Sequence, residues 1–278
     1  MSTRLGVLGW PVAHSRSPAM HNAALAELGL GDWRYQRLPV PPQLFDETVR
    51  ALGGAGFRGA NVTIPHKHAA LSLATQASAA AREIGAANTL SFLPEGAIAA
   101  ENTDAPGLIA ALDGLSVRGI RALVLGAGGS ARAAVWALRE AGASEVSVWN
   151  RTRERAETLA RELEVRAVAR PGPAELLVNC TAVGLDEPVD AGAVIPSASV
   201  ERALNQVGLT FDHIGEYPNV VEFVYSAAPT ALLATAQAHG ANTVDGVEVL
   251  VAQGALSLEL WTGRSAPLEV MRRAARQG

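Results

Sequence analysis

Apolar positions alternate with polar ones where Ala60, Val62 and Ile64 are interleaved with Asn61 and Thr63. A period of two is that of a strand with unlike faces, one turned to a core and the other presenting an amide and a hydroxyl side by side. Pro65 ends the strand, and a helix from His66 to about Ala74 follows. Before this unit, Leu5–Gly9 reads as a buried strand, and a helix runs through Met20, Ala23, Ala24 and Leu28 to a stop at Gly29 or Gly31. Trp33–Val40 then reads as a strand and Pro42–Leu52 as a helix. After it, Ile84–Leu90 enters a short strand, and Pro94–Glu95–Gly96 makes a turn. Further strands are expected at Ala122–Leu125, Glu145–Trp149, Leu176–Thr181 and Val220–Tyr225, the last taken as the final strand of its sheet. Helices are expected to about Ala141, from Ala231 to Ala238, and from Gly246 onward, where Val249, Leu250, Gln253, Leu256 and Leu260 share one face. Residues 186–220 show no readable pattern. Strands alternating with helices place the chain in the α/β class.

Several polar residues sit where these elements do not need them. Lys67 falls in the first turn of its helix, where the helix dipole disfavours a cation; a solvated surface lysine is the plainer alternative. Ser17–Pro18 is a helix start, with Ser17 as N-cap, and Ser15 joins it at a positive helix end suited to a carboxylate or phosphate. Asn88 reads as a turn amide or a ligand contact, and Asp104 as the N-cap of a helix from Ala105 to about Leu112 or a functional carboxylate. Tyr225 ends a strand, where packing and substrate contact are both open. Gln253 interrupts an apolar stripe, so it is either a partnered buried amide or a ligand contact.

The clearest motif is Gly126-Ala127-Gly128-Gly129-Ser130-Ala131, set between a strand and an alanine-rich helix. Glycines there permit a tight turn and close approach of a pyrophosphate, whose charge the helix N-terminus receives. The tip of the next strand decides the dinucleotide. It reads Asn150-Arg151-Thr152-Arg153-Glu154-Arg155, with no carboxylate at the tip to hold a ribose 2′-hydroxyl and three arginines suited to a 2′-phosphate. NADP is therefore expected over NAD.

Composition removes other classes. With 49% hydrophobic residues in 278, a substantial core is available and global disorder is excluded. A net charge of −4 leaves no footprint for nucleic acid, and no apolar run reaches the ~20 residues of a membrane span. The start of the chain is too short for a signal h-region, and the single cysteine, Cys180, fits packing in a reducing compartment, so a cytoplasmic protein is expected. The histidines and Cys180 lack metal-ligand spacing, so no metal is expected. The oligomeric state, a homodimer included, is left open.

With these residues in view the chain resembles the shikimate dehydrogenase family over nearly its whole length. The likeness rests on Gly9–Pro18, Asn61–Lys67, Gly85–Thr89, Asn102–Asp104, Gly126–Arg132, Asn150–Thr152 and Asp245–Gln253. It implies a substrate-binding domain over residues 1–104, completed by C-terminal helices in 240–278. It also implies a Rossmann-type NADP-binding domain over 105–239, with the active site in the cleft between them. It implies reduction of 3-dehydroshikimate to shikimate with NADPH on the route to chorismate and the aromatic amino acids. Lys67 and Asp104 are then the catalytic pair, and Ser15 and Ser17 bind the substrate carboxylate. Thr63, Asn88, Tyr225 and Gln253 meet the ring hydroxyls and ketone, Asp104 joining them there. Gly126, Ala127, Gly128, Gly129, Ser130, Ala131, Asn150, Arg151, Thr152, Arg155 and Gly246 attend the cofactor. Two segments depart from the family pattern: Glu222-Phe223-Val224-Tyr225-Ser226-Ala227, commonly Asp-x-x-Tyr-Asn-Pro, and Ala182-Val183-Gly184-Leu185, commonly Pro-x-Gly-Met. A quinate or quinate/shikimate dehydrogenase, and a non-catalytic shikimate-binding regulatory domain on the same fold, are the alternatives.

Overall fold

The computed structural model describes residues 2–185, 197–226 and 228–278. Part of the unreadable 186–220 stretch and Ala227 of the departing segment lie outside these. The chain forms two compact units, residues 1–107 with 250–278, and residues 108–249.

The first unit opens with β1 (Thr3–Gly9), α1 (Ser17–Glu27), β2 (Trp33–Pro39), α2 (Phe45–Leu52) and β3 (Phe57–Val62). It continues through α3 (Lys67–Leu73), β4 (Gln76–Ala77), α4 (Ala79–Ile84), β5 (Thr89–Phe92), β6 (Ile98–Glu101) and α5 (Asp104–Ala111). Its sheet has the order β2-β1-β3-β5-β6-β4. The β2, β1 and β3 strands are parallel, while β5 runs antiparallel to both β3 and β6. Leu8, Ala60, Val62 and Leu90 from these strands bury against Phe45, Val49, Ala70 and Leu73 of α2 and α3. The alternation at 60–62 thus has its apolar face in the core, and Asn61 on the opposite face is buried as well.

The second unit holds β7 (Arg121–Leu125), α6 (Gly129–Glu140), β8 (Glu145–Trp149), α7 (Arg153–Glu162), β9 (Arg166–Ala167) and β10 (Leu176–Asn179). It continues with α8 (Ala198–Gln206), α9 (Phe211–Ile214), β11 (Asn219–Glu222), α10 (Ala231–Ala238) and β12 (Asn242–Val244). All six strands are parallel in the order β12-β11-β10-β7-β8-β9, the doubly wound arrangement of a Rossmann-type sheet, with the order reversing between β7 and β10. Ala122 and Val124 join one core and Leu123 and Leu125 another, so both faces are covered, as a parallel sheet requires.

β11 is not the last strand here. After the turn at Gly240 (φ +78°), β12 adds beside it as a three-residue edge. The passage back to the first unit therefore falls at about residue 250 rather than 240.

Two helices close the chain, α11 (Gly246–Thr262) and α12 (Leu268–Gln277). Within the first unit, the buried face of α11 carries Leu250, Gln253, Gly254, Ser257, Leu258 and Trp261, at helical spacing. Leu260, expected on that face, is exposed. Its place is taken by Trp261, which lies over Gly59: a Cβ there would stand 2.1 Å from the indole nitrogen. That indole donates to the carbonyl of Leu90 at 3.1 Å.

Candidate active site

Asn61 to Lys67 carries the chain out of the sheet and into α3. β3 ends after Val62, Thr63 N–H donates to Leu8 O at 2.8 Å, and His66 N–H returns to Thr63 O at 2.9 Å. This turn delivers Lys67 to the first residue of α3, 8% exposed and paired with the carboxylate of Asp104. The surface-lysine alternative is thereby removed. A buried charge pair survives only when its remaining valences are satisfied. Here Asn88 Nδ2 donates to the other Asp104 oxygen, Oδ1, at 2.8 Å.

Asp104 does not cap its helix. It is the first residue of α5, and Asn102 Oδ1 accepts the N–H of Ala105 at 3.1 Å in its stead. The carboxylate is freed for Lys67 and Asn88. Asn88 in turn is held on both ends of its amide. Its Oδ1 accepts Thr103 N–H at 2.7 Å, and its Nδ2 reaches Gln253 Oε1 at 3.2 Å. Gln253 arrives from α11 because Gly107 of α5 lets the helices touch; a Cβ on Gly107 would stand 2.8 Å from the Gln253 backbone. The glutamine is thus a partnered buried amide, anchored by Nε2 to Leu250 O at 2.8 Å. Lys67, Asp104, Asn88 and Gln253 form one connected cluster.

Ser15 and Ser17 lie in the loop after β1 and at the head of α1, both buried. Ser17 is not the N-cap. That position is Arg16, and Ser15 Oγ accepts the N–H of Ser17 at 3.3 Å. The helix has no acidic residue in its first turn, so its positive end is not neutralised from within. Arg37 of β2 grips the carbonyl of Ser15 with Nε and Nη2 at 3.1 and 2.6 Å. Thr63 is half-buried beside β1; its Cγ2 leaves no room for a side chain at Gly9.

In the second unit, Gly126 follows β7 with φ +111°, a region open to glycine, and a Cβ there would lie 3.2 Å from the Cys180 backbone after β10. This is the sheet's switch point, where doubly wound folds bind nucleotides. Gly128 is the N-cap of α6 with no side-chain bond, and a Cβ placed on it would meet nothing within 4 Å. The start of α6 thus has open space beside it, with Ala127, Gly129, Ser130 and Ala131 completing the turn; a helix N-terminus of this kind suits a pyrophosphate. At the tip of β8, Asn150 Nδ2 bonds Thr152 O at 2.8 Å, and Thr152 is the N-cap of α7. Arg153 is occupied by Glu157 at 2.7 Å, while Arg151 and Arg155 are exposed and pair with no carboxylate among the described residues. Tyr225 is half-buried in the loop after β11, and Gly246 meets the backbone there, a Cβ on it falling 2.3 Å from Val224 O. Cys180, half-buried, packs against the core. No cluster of three or more His, Cys, Asp or Glu among the described residues could hold a metal ion, and no described helix is long and apolar enough to cross a membrane.

Residues 7–90 match the family described as Shikimate dehydrogenase substrate binding domain, and residues 246–276 match Shikimate 5'-dehydrogenase C-terminal domain. Residues 110–179 match Shikimate / quinate 5-dehydrogenase. The Shikimate dehydrogenase (NADP(+)) of Methanopyrus kandleri is 41% identical over 97% of this chain and 93% of its own. The chain belongs to the shikimate dehydrogenase family. Another relative of the same description, from Anaeromyxobacter dehalogenans, is 44% identical over 98% of this chain and 96% of its own. Among solved structures, Shikimate 5-Dehydrogenase from Thermus Thermophilus, in complex with NADP(H) and shikimate, is 41% identical with a TM-score of 0.82, covering 99% of each chain. A 5-ketofructose reductase of Gluconobacter, 30% identical with a TM-score of 0.81, shares the fold over 99% of its own chain.

In this shikimate dehydrogenase family member, several participants escaped the sequence. Thr103 and Thr89 join Asn88 in the buried cluster, and Tyr35, Asn61 and Ser257 extend it. For Asn61 the signal was present in the two-faced strand. For Tyr35, on β2, no local pattern marked it.

Proposed function

We propose that this chain is an NADP-dependent shikimate dehydrogenase, reducing 3-dehydroshikimate to shikimate with NADPH on the route to chorismate and the aromatic amino acids. The observation that carries this reading is the buried Lys67–Asp104 pair, hydrogen-bonded through Asn88 to Gln253. We assign residues 1–107 and 250–278 to the substrate and 108–249 to the cofactor.

Bound NADPH supplies hydride to the substrate ketone, which leaves an alkoxide. Lys67 stabilises that charge and gives up a proton at Nζ, and Asp104 orients the ammonium. Burial strengthens each of these interactions relative to water. Ser15 and Ser17 receive the carboxylate at the head of α1, a reading supported by the absence of an acidic residue in that turn. Thr63, Asn88, Tyr225 and Gln253 orient the ring hydroxyls and ketone. The open glycine turn of α6 takes the pyrophosphate, and Arg151 and Arg155, with Asn150 and Thr152, take the 2′-phosphate. Gly246 keeps the Tyr225 loop close to α11. Such an enzyme works in the cytoplasm, and a homodimer is the assembly to test by sedimentation. Steady-state rates with shikimate and quinate, each with NADP and NAD, test the function. Preference for shikimate with NADP is expected; preference for quinate with NAD overturns the choice.

A further inference from the structure

Behind the Lys67–Asp104 pair, a run of buried hydrogen bonds leads away to β2. Tyr35 donates its hydroxyl to Asn61 Oδ1 at 2.8 Å. Ser257 Oγ approaches the same oxygen at 3.5 Å, while lying 3.0 Å from Gly254 O. Asn61 Nδ2 then donates to Thr89 Oγ1 at 3.1 Å and to Asn88 O at 3.3 Å. Thr89 Oγ1 lies 3.1 Å from Thr103 Oγ1 and 3.3 Å from Asn88 Oδ1. Asn88 Nδ2 closes the run on Asp104. An amide can be flipped, but Asn88 is fixed by the Thr103 N–H on its oxygen, and Asn61 by the Asn88 carbonyl that faces its nitrogen. With Asn61 so oriented, Tyr35 donates to its oxygen and Thr89 Oγ1 accepts from its nitrogen, leaving the Thr89 proton for Asn88 Oδ1.

The Tyr35 ring is itself clamped. His21 stacks on it with centroids 4.2 Å apart and planes 5° from parallel, and Trp261 stands 6.3 Å away. His21 is fully buried, with both ring nitrogens lacking a hydrogen-bond partner. Burial lowers its pKa to about 3, so the ring is neutral at working pH and the stack carries no charge. A buried imidazole without partners is costly, and its place here is to hold the tyrosine face.

We propose that Tyr35 is a positioning residue for catalysis, acting through Asn61 and Thr89 to set the Asn88 amide that orients Asp104 against Lys67. The proposal rests on the dehydrogenase reading for its kinetic test but not for its structural one. Tyr35→Phe keeps the ring and its stack and removes only the hydroxyl. Stopped-flow nicotinamide absorbance is expected to show hydride transfer slowed about tenfold, the effect of roughly one buried hydrogen bond, while the KM for shikimate changes far less because Ser15 and Ser17 are untouched. Thr89→Val, an isosteric break in the middle of the run, is expected to do the same and serves if Tyr35→Phe does not fold. Tyr217→Phe removes a hydroxyl that bonds Gly172 O at 3.0 Å in the second unit, and leaves hydride transfer unchanged.

A double-mutant cycle separates positioning from general loosening: in an Asn88→Ala background, Tyr35→Phe is expected to cost nothing further. Unchanged hydride transfer in both variants, or full additivity with Asn88→Ala, overturns the proposal. The second readout is independent of substrate. Side-chain amide NMR resonances of Asn88 are expected to move in Tyr35→Phe, with those of Asn150 and Asn242 unmoved. A still Asn88 resonance overturns the proposal, whereas an unaltered enzyme inactive on shikimate defeats only the functional reading.

Discussion

Replacing Glu222 with glutamine tests how burial and hydrogen bonding trade off in the nucleotide unit. Glu222 ends β11 at 0% exposure and ties that strand to β10 and to the head of α10. Asn179 Nδ2 donates to both its oxygens at 2.9 and 3.1 Å, Val224 N–H donates at 3.1 Å, and Thr230 Oγ1 lies at 3.2 Å. These donors favour the ionised carboxylate, but among the described residues no cation pairs with it, and desolvation wins: the pKa rises from 4.5 to about 8. At neutral pH the group is mostly protonated, and its bond to Thr230 then runs from carboxyl to hydroxyl. Between these two values the native state keeps a proton that the unfolded chain has released. Stability from this group is therefore full below pH 4.5, falls as pH rises, and is lost above about pH 8. At about 1.4 kcal/mol per pH unit, the window from 4.5 to about 8 is worth ~5 kcal/mol. Glutamine keeps one acceptor for Asn179 and Val224 and a donor for Thr230, gives up the second Asn179 bond, and does not titrate. Urea unfolding followed at about pH 5, 7 and 9 is the assay. The parent is expected to lose stability steeply over this range, while Glu222→Gln loses much less and becomes the more stable of the two at about pH 9. A stability difference that does not change with pH would mean Glu222 is already ionised in the folded protein, and would refute the precedence given to burial over its donors.

Two further outcomes bear on the site. Lys67→Met is expected to lower kcat by roughly 10²–10⁴ while shikimate binding measured by calorimetry changes only a few-fold, because proton transfer is lost and the carboxylate anchor is not. Near-normal turnover removes Lys67 from the chemistry. Arg151→Ala combined with Arg155→Ala is expected to raise the KM for NADP by about tenfold or more and leave that for NAD unchanged, since only the former carries the 2′-phosphate. An equal rise for both cofactors places the arginines elsewhere.

How far the sequence could be read depended on how local each signal was. The glycine turn after β7 was legible because strand, turn and helix are contiguous and the φ of Gly126 demands glycine. The α/β order and the two-faced β3 were legible for the same reason. Capping was less legible: Ser17, read as an N-cap, is the first residue inside α1, and of the two readings of Asp104 the cap is the one that fails. At α1, Ser15 accepts the N–H of Ser17, the first helical residue, and at α5, Asn102 accepts that of Ala105. In each case a neighbouring polar residue competed for the role, and composition alone does not rank them. β12 escaped notice because an edge strand of three residues has too little pattern to register. Tyr35 could not be found at all. Its importance lies in a bond to Asn61, 26 residues away, and in a stack on His21, neither of which leaves a periodic trace.

The discontinuity of the first unit has a consequence for how the molecule is made. Gly59 is left bare for Trp261, Gly107 for Gln253, and Met20 presses toward Gly254. The gaps at Gly59 and Gly107 are filled by α11, whose residues from 250 onward are translated after the nucleotide unit, and the gap on α11 itself, at Gly254, takes Met20. In order of translation, residues 108–249 come between the two parts of the first unit, which is complete only once residues 250–278 have emerged. Residues 250–278 are thus the ones that seal the substrate half, and a nascent chain stalled before residue 250 would hold a whole Rossmann-type sheet and an unfinished first unit.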